Sequence, residues 1–214
     1  MNHVTSSSVF DHILALSESY ATRLQQVMDT RDAEMDADDN SHYLIYRVLG
    51  VTDREGDLID RYQNKGRFLY KYAGSFLEDA ATMCFEHRYP DAAGKTRIPN
   101  TQGVRPKTFE IDFLINDRAY EIKWRDATTD GDHITKEHTR ALAIQEAGFI
   151  PVRVMFYYPN RQQAIRIQRT LETLYKGMGG EYYYGDSAWE HVESFTGIDL
   201  LGILQRIAEM KTGE

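Results

Sequence analysis

Cysteine is almost absent: Cys84 is the only one among 214 residues. No intramolecular disulfide can form, and a cysteine-built zinc cluster is excluded. Its setting, Ala-Thr-Met-Cys-Phe, is that of a buried structural thiol rather than a redox centre. Uninterrupted apolar runs are missing too. No stretch is long enough to span a bilayer, and the N-terminus has no basic segment leading into an apolar one. The expectation is a cytoplasmic protein, without signal peptide or membrane anchor. Internal repeats, low-complexity tracts and flexible linkers are also lacking. With 42% hydrophobic residues, the chain can bury a sizeable core, expected as one domain over residues 1–214.

Positive charge is in short supply as well, with 25 Lys and Arg against 33 Asp and Glu and a formal net charge of −8. That balance argues against a nucleic-acid partner, because phosphates are bound mainly by Lys and Arg. The distribution weakens the objection. Asp29, Asp32, Glu34, Asp36, Asp38 and Asp39 crowd into DTRDAEMDADD, which reads as a solvated acidic loop. Basic residues gather elsewhere: Arg61, Lys65, Arg67 and Lys71; Lys95, Arg97, Arg105 and Lys107; then Arg125, Lys136 and Arg140. Each basic group reads either as a solvated face or as a DNA contact.

What the chain does have is the stretch FEIDFLINDRAYEIKW, Phe109 to Trp124. Residues 109–115 and 118–124 each alternate with the two-residue period of strands, and Asn116-Asp117 between them is turn chemistry. A two-residue loop pairs Ile115 with Arg118, which sets Asp112 opposite Glu121 and Glu110 opposite Lys123. One face then carries Glu110, Asp112, Glu121 and Lys123; the other carries Ile111, Phe113, Ile115, Tyr120, Ile122 and Trp124, a core surface. A four-residue loop keeps this register, whereas a three-residue loop sends one carboxylate to the opposite face.

Opposed carboxylates with Cβ atoms roughly 4.5–5.5 Å apart repel unless something positive lies between them. Oxygen-only ligands favour a hard divalent ion, Mg²⁺ above all beside substrate phosphates, with Mn²⁺ as a substitute. Lys123 on the same face can orient or help deprotonate an attacking water and offset transition-state charge. Taken alone, the hairpin also admits a plainer reading, a solvated face in which Lys123 is salt-bridged to Glu110.

Asp112 followed by Glu121-Ile122-Lys123 resembles the PD-(D/E)xK nuclease motif, with Ile111 at the position named for proline. The resemblance spans roughly residues 67–175 and, with the run WRDATTDGDHITKEHTR, looks most like a type II restriction endonuclease of the ApaLI-like group. It implies an α/β fold, a mixed β-sheet flanked by helices with a restriction-endonuclease-like core. Further implications are Mg²⁺-dependent hydrolysis of double-stranded DNA leaving a 5′-phosphate, metal binding by Asp112, Glu121 and the Ile122 carbonyl, and a catalytic Lys123. A glutamate on the preceding helix often reaches the metal in that family, which nominates Glu78; its other reading is a helix salt bridge. A short palindromic site would be matched by a homodimer. Other readings of the same hairpin are a structure-selective or repair nuclease and a catalytically silent DNA-binding module.

Around the hairpin, a first helix is expected from Ser8 as cap to about Met28, and Arg67–His87 is the clearest helix, ending before Pro90. His42–Val51 reads as a strand or a short buried helix, Asp53–Asp57 as a turn, and Tyr89–Lys107 as a long irregular connection that could grip the DNA backbone through its four basic residues, Lys95, Arg97, Arg105 and Lys107. Thr135–Gly148 and Asn160–Lys176 read as helices about a buried strand, Pro151–Tyr158, and Ser187–Met210 as helical again. Asp130-Gly131-Asp132-His133 reads as a helix cap or a metal site, and Tyr182–Tyr184 as packing in a glycine-rich turn or a base-stacking platform. Arg125 beside the catalytic strand, and Lys136 with Arg140 one helical turn apart, are candidates for guanine edges or phosphates.

Overall fold

A computed structural model describes residues 4–92, 94–103, 105–125 and 132–213. Its elements run α1 (Val4–Asp36), α2 (Tyr43–Val48), α3 (Asp53–Arg88), β1 (Thr96–Pro99), β2 (Thr108–Ile111), β3 (Phe113–Ile115), β4 (Arg118–Arg125), α4 (Asp132–Glu146), β5 (Ile150–Tyr157), α5 (Gln162–Gly177), β6 (Glu181–Tyr184), α6 (Asp186–Thr196) and α7 (Leu200–Thr212). The chain divides into two compact units, Leu14–Phe76 on the one hand and Met1–Ile13 with Leu77–Glu214 on the other. Among the described residues, no helix is long and apolar enough to cross a membrane.

The helical unit departs from the sequence expectation in four places. First, α1 begins before Ser8 and continues to Asp36, so much of the expected acidic loop is helix. Its acids are matched from α3: Lys65 Nζ lies 2.8 Å from Asp32, and Arg61 contacts Asp32, Asp36 and Asp57. Two of the basic residues nominated for DNA are therefore engaged by this chain's own carboxylates. Second, Asp53–Asp57 is the first turn of α3 rather than a loop. Thr52 and Glu55 form a capping box, the Glu55 N–H donating to the Thr52 hydroxyl at 3.3 Å and the Thr52 N–H to the Glu55 carboxylate at 3.0 Å. Third, α3 accordingly starts 14 residues before Arg67, at Asp53. Fourth, His42–Val51 holds the short helix α2, which buries Tyr43 but leaves Leu44, Ile45, Val48 and Leu49 exposed. Close contact of α2 with α3 requires Gly56, since a Cβ there would stand 2.6 Å from the Tyr46 ring.

The larger unit is built on a four-stranded sheet of order β3-β4-β5-β6, antiparallel at its β3–β4 edge and parallel elsewhere, a mixed sheet flanked by helices. The Asn116-Asp117 turn gives the expected register: Ile115 pairs with Arg118 and Phe113 with Tyr120. Asp112 then interrupts the outer strand. Its carboxylate accepts the Ile122 N–H at 2.8 Å, taking a donor that a continuing ladder would have given to a backbone carbonyl. Released from β4, β2 pairs instead with β1, which lies inside the segment expected to be irregular, and Glu110 comes opposite Arg97 rather than Lys123.

One face of the sheet packs rings, with Phe85 of α3 4.8 Å from Tyr120, and His191 of α6 5.8 Å from that same ring. Cys84 is buried there as a free thiol, its pKa pushed up to about 12 by burial. The other face is covered by α4 and α5 through Ala141, Ile167, Leu171 and Tyr175. Tyr182–Tyr184 is a sheet strand and not a turn. Tyr182 is buried with its hydroxyl donating to Gln168 at 2.6 Å, and Tyr183 stacks on His191 at 3.8 Å, so neither ring is presented to a base. Gly180 just before β6 is needed because a Cβ there would meet the Pro151 carbonyl at 2.7 Å. The C-terminal helical segment is two helices, broken at Gly197 with a left-handed φ of 76°.

Candidate active site

Four residues named from the sequence meet at the β3–β4 edge. Lys123 Nζ stands 2.8 Å from Glu121 Oε1, 3.5 Å from Glu78 Oε1 and 3.9 Å from Asp112 Oδ2, and donates to the Ile122 carbonyl at 2.9 Å. Three elements supply this cluster: the strand break gives Asp112, β4 gives Glu121 and Lys123, and α3 gives Glu78. Glu110, placed by register counting opposite Lys123, lies outside it and faces Arg97 at 3.7 Å. The loss of that pairing follows directly from the break at Asp112.

Two further residues, which the sequence reading missed, tie the cluster to the core. Glu121 is only 2% exposed, and it contacts Arg140 of α4 as well as Lys123. Arg140 also lies 3.2 Å from Glu137, whose other oxygen holds Arg153 of β5 at 2.7 Å. Arg153 is the register partner of Glu121 and is 1% exposed. A network therefore runs Lys123–Glu121–Arg140–Glu137–Arg153. A signal was available: an arginine inside the apolar strand PVRVMFYY must be buried, and a buried guanidinium needs a carboxylate.

Electrostatics separate the carboxylates. Burial works against the charge of Glu121, yet Lys123, Arg140 and Arg153 hold its pKa below the usual carboxylate range. Asp112 goes the other way, raised to about 6 by burial and by the neighbouring Glu121 charge. Glu78 is raised by burial despite the opposing pull of Lys123. Burial also disfavours the Lys123 ammonium, but Glu121, Asp112 and Glu78 together keep it well above the ordinary lysine value. In this arrangement Lys123 is held as a cation.

Asp112 gives a pH prediction. A carboxyl that titrates at about 6 when folded, against its ordinary 3.8, binds its proton more tightly in the folded state. The stability attached to it is present at low pH and lost as pH rises through that window. In the absence of divalent cations, Asp112→Asn is expected to stabilise the protein by roughly 1–3 kcal/mol at pH 8 and hardly at all at pH 4. Urea unfolding at the two pH values measures it, and equal effects at both would refute the assignment.

As to a metal, the donor chemistry fits a hard cation: carboxylates of Asp112, Glu121 and Glu78 and the Ile122 carbonyl all turn toward one point. That point holds the Lys123 ammonium, and among the described residues no three acid, His or Cys side chains are spaced to hold a metal ion. Of the nominated DNA contacts, Arg140 is turned into the carboxylate network, Lys136 on the same helix is exposed, Lys107 is exposed in the connection between β1 and β2, and the Arg125 guanidinium lies 5.3 Å from the Trp124 ring centroid. The cap or metal reading of Asp130-Gly131-Asp132-His133 lies outside the residues whose side chains are described.

Comparison with known proteins gives one family. The profile of the family described as ApaLI-like restriction endonuclease matches residues 4–209. No curated protein and no solved structure matches the chain.

Proposed function

The chain belongs to the ApaLI-like restriction endonuclease family, an endonuclease family acting on DNA, and we propose that the Lys123 cluster is its catalytic centre. The observation that carries this is one ammonium met by three carboxylates, from the strand break, β4 and α3, at the exposed end of a buried ionic network. Such a cluster is costly to build and has no packing purpose, which supports a functional reading.

Asp112, Glu121 and the Ile122 carbonyl would hold a Mg²⁺ ion, with Glu78 in reach. When bound, the ion would polarise the phosphoryl oxygen and lower the pKa of an attacking water. Lys123 would activate and orient that water and offset charge on the pentavalent phosphorus. Arg140 and Arg153 keep Glu121 ionised beneath it. The substrate is double-stranded DNA at a short palindrome, cut by two copies of the chain related by a two-fold axis.

Digestion of phage DNA with Mg²⁺, followed by sequencing of the ends, tests the reading. Discrete fragments sharing one end sequence are expected, as is no cleavage by folded Asp112→Ala. Cleavage that persists in chelator, or in that variant, would overturn it.

A further inference from the structure

Three of the four oxygens around Lys123 Nζ are held by contacts in which Lys123 takes no part. The Asp112 carboxylate is fixed by the Ile122 N–H, which it accepts at 2.8 Å. Glu121 is fixed by Arg140, which Glu137 anchors from 3.2 Å while holding Arg153 with its other oxygen. The Ile122 carbonyl belongs to β4, where Ile122 is paired in register with Val154 of β5. The oxygen cage is therefore built by the fold and does not depend on the cation inside it.

Such a cage takes one cation at a time. Lys123 Nζ meets its oxygens at 2.8, 2.9, 3.5 and 3.9 Å, the distances of an ammonium. Mg²⁺ takes oxygens at about 2.0–2.1 Å, so the same carboxylates must close in around it. Two positive charges within about 4 Å of each other at a partly buried site repel by several kT, and entry of the ion requires the ammonium to leave. Of the two cations on Glu121, Lys123 is the one that can. Arg140 is pinned between Glu121 and Glu137, whereas Lys123 ends a flexible four-carbon stem and keeps 28% of its side chain exposed.

The donor count leads to the same place. An ammonium has three N–H donors, and the three nearest oxygens, those of Glu121, Ile122 and Glu78, face all of them. Held there, Lys123 has none left for a water or a phosphate.

We propose that Lys123 and a divalent ion are alternative occupants of this cage, and that exchange of one for the other is what frees Lys123 to act on water and phosphate. The inference rests on the reading of the cluster as the catalytic centre and adds its regulation: Lys123 is locked by the carboxylates until an ion takes its place.

Two measurements on the full chain without DNA test the exchange independently of cleavage. In calorimetric titration with Mn²⁺, Lys123→Met should bind roughly 10- to 100-fold more tightly than wild type, the usual size of a coupling between two ligands. Lys136→Met, which removes an exposed lysine of α4, should bind as wild type does. Reductive methylation followed by mass spectrometry reads Lys123 itself and needs no variant, so it decides even where Lys123→Met fails to fold. Lys123 should be methylated slowly in metal-free wild type and several-fold faster with Mn²⁺, while the rate at Lys136 stays constant. Mn²⁺ affinity in a folded Lys123→Met no higher than in wild type, or methylation of Lys123 that Mn²⁺ slows or leaves unchanged, overturns the exchange whether or not wild type cuts DNA. Exchange in both measurements with a wild type that cuts no DNA would sustain the cage and sink the nuclease reading instead.

Discussion

Lys123→Ala is expected to lower DNA cleavage by about 10³-fold, the scale on which a preorganised group facing transition-state charge contributes. The protein should remain folded, because the change deletes a part-exposed side chain and creates no core cavity. Its effect on stability should depend on pH in a definite direction. The ammonium lowers the pKa of both Asp112 and Glu78. Without it both carboxyls climb further, so the loss of stability relative to wild type should be larger at pH 8 than at pH 6. Lys123→Arg keeps the charge and should restore the stability at pH 8. Its planar fork cannot reproduce a compact ammonium's contacts with four oxygens, so cleavage should recover only in part. Undiminished cleavage by Lys123→Ala would remove the residue from the mechanism.

What could be read from the sequence was local. The Asn116-Asp117 turn fixed the β3–β4 register, and strand periodicity brought Asp112, Glu121 and Lys123 together. Glu78 required the family resemblance, because nothing in residues 67–87 themselves says which turn of a 36-residue helix reaches β4. The failures have physical causes. Register counting assumed an unbroken ladder, and a side-chain acceptor at Asp112 competed with it, sending Glu110 to Arg97. The Asp53 turn was misread because Asp and Glu are turn residues by composition, yet acids in a first turn also suit the helix dipole, and Thr52-x-x-Glu55 is a capping box. The acidic run after Asp29 looked solvated because its counter-charges, Arg61 and Lys65, stand about thirty positions away in sequence. Glu137 and Arg153 were passed over for the same reason: a buried pair joining a helix to a strand has no periodic signature.

That buried pair sets the largest stability effect. Arg153 and Glu137 meet at 2.7 Å with side chains 2% and 5% exposed. Breaking such a pair from one side costs about 3–5 kcal/mol, and the two sides are not equivalent. An arginine cannot shed its proton, so Glu137→Leu strands a permanent cation in the core beside a second one, Arg140. A glutamate can take up a proton, and Glu137 keeps Arg140 at 3.2 Å in any case, so Arg153→Met is expected to cost distinctly less. The double variant Arg153→Met with Glu137→Leu removes both charges and should regain most of the loss, as apolar replacement of a buried pair commonly does. Cleavage should not return with stability. The double variant leaves Arg140 without its Glu137 anchor and Glu121 without the nearby Arg153 charge that helps keep it ionised. Urea unfolding and plasmid cleavage on the three variants separate the two roles. A Glu137→Leu protein within about 1 kcal/mol of wild type would contradict a buried pair. A double variant that recovers stability and full activity together would show that the network supports the fold alone, with no part in positioning Glu121 beneath Lys123.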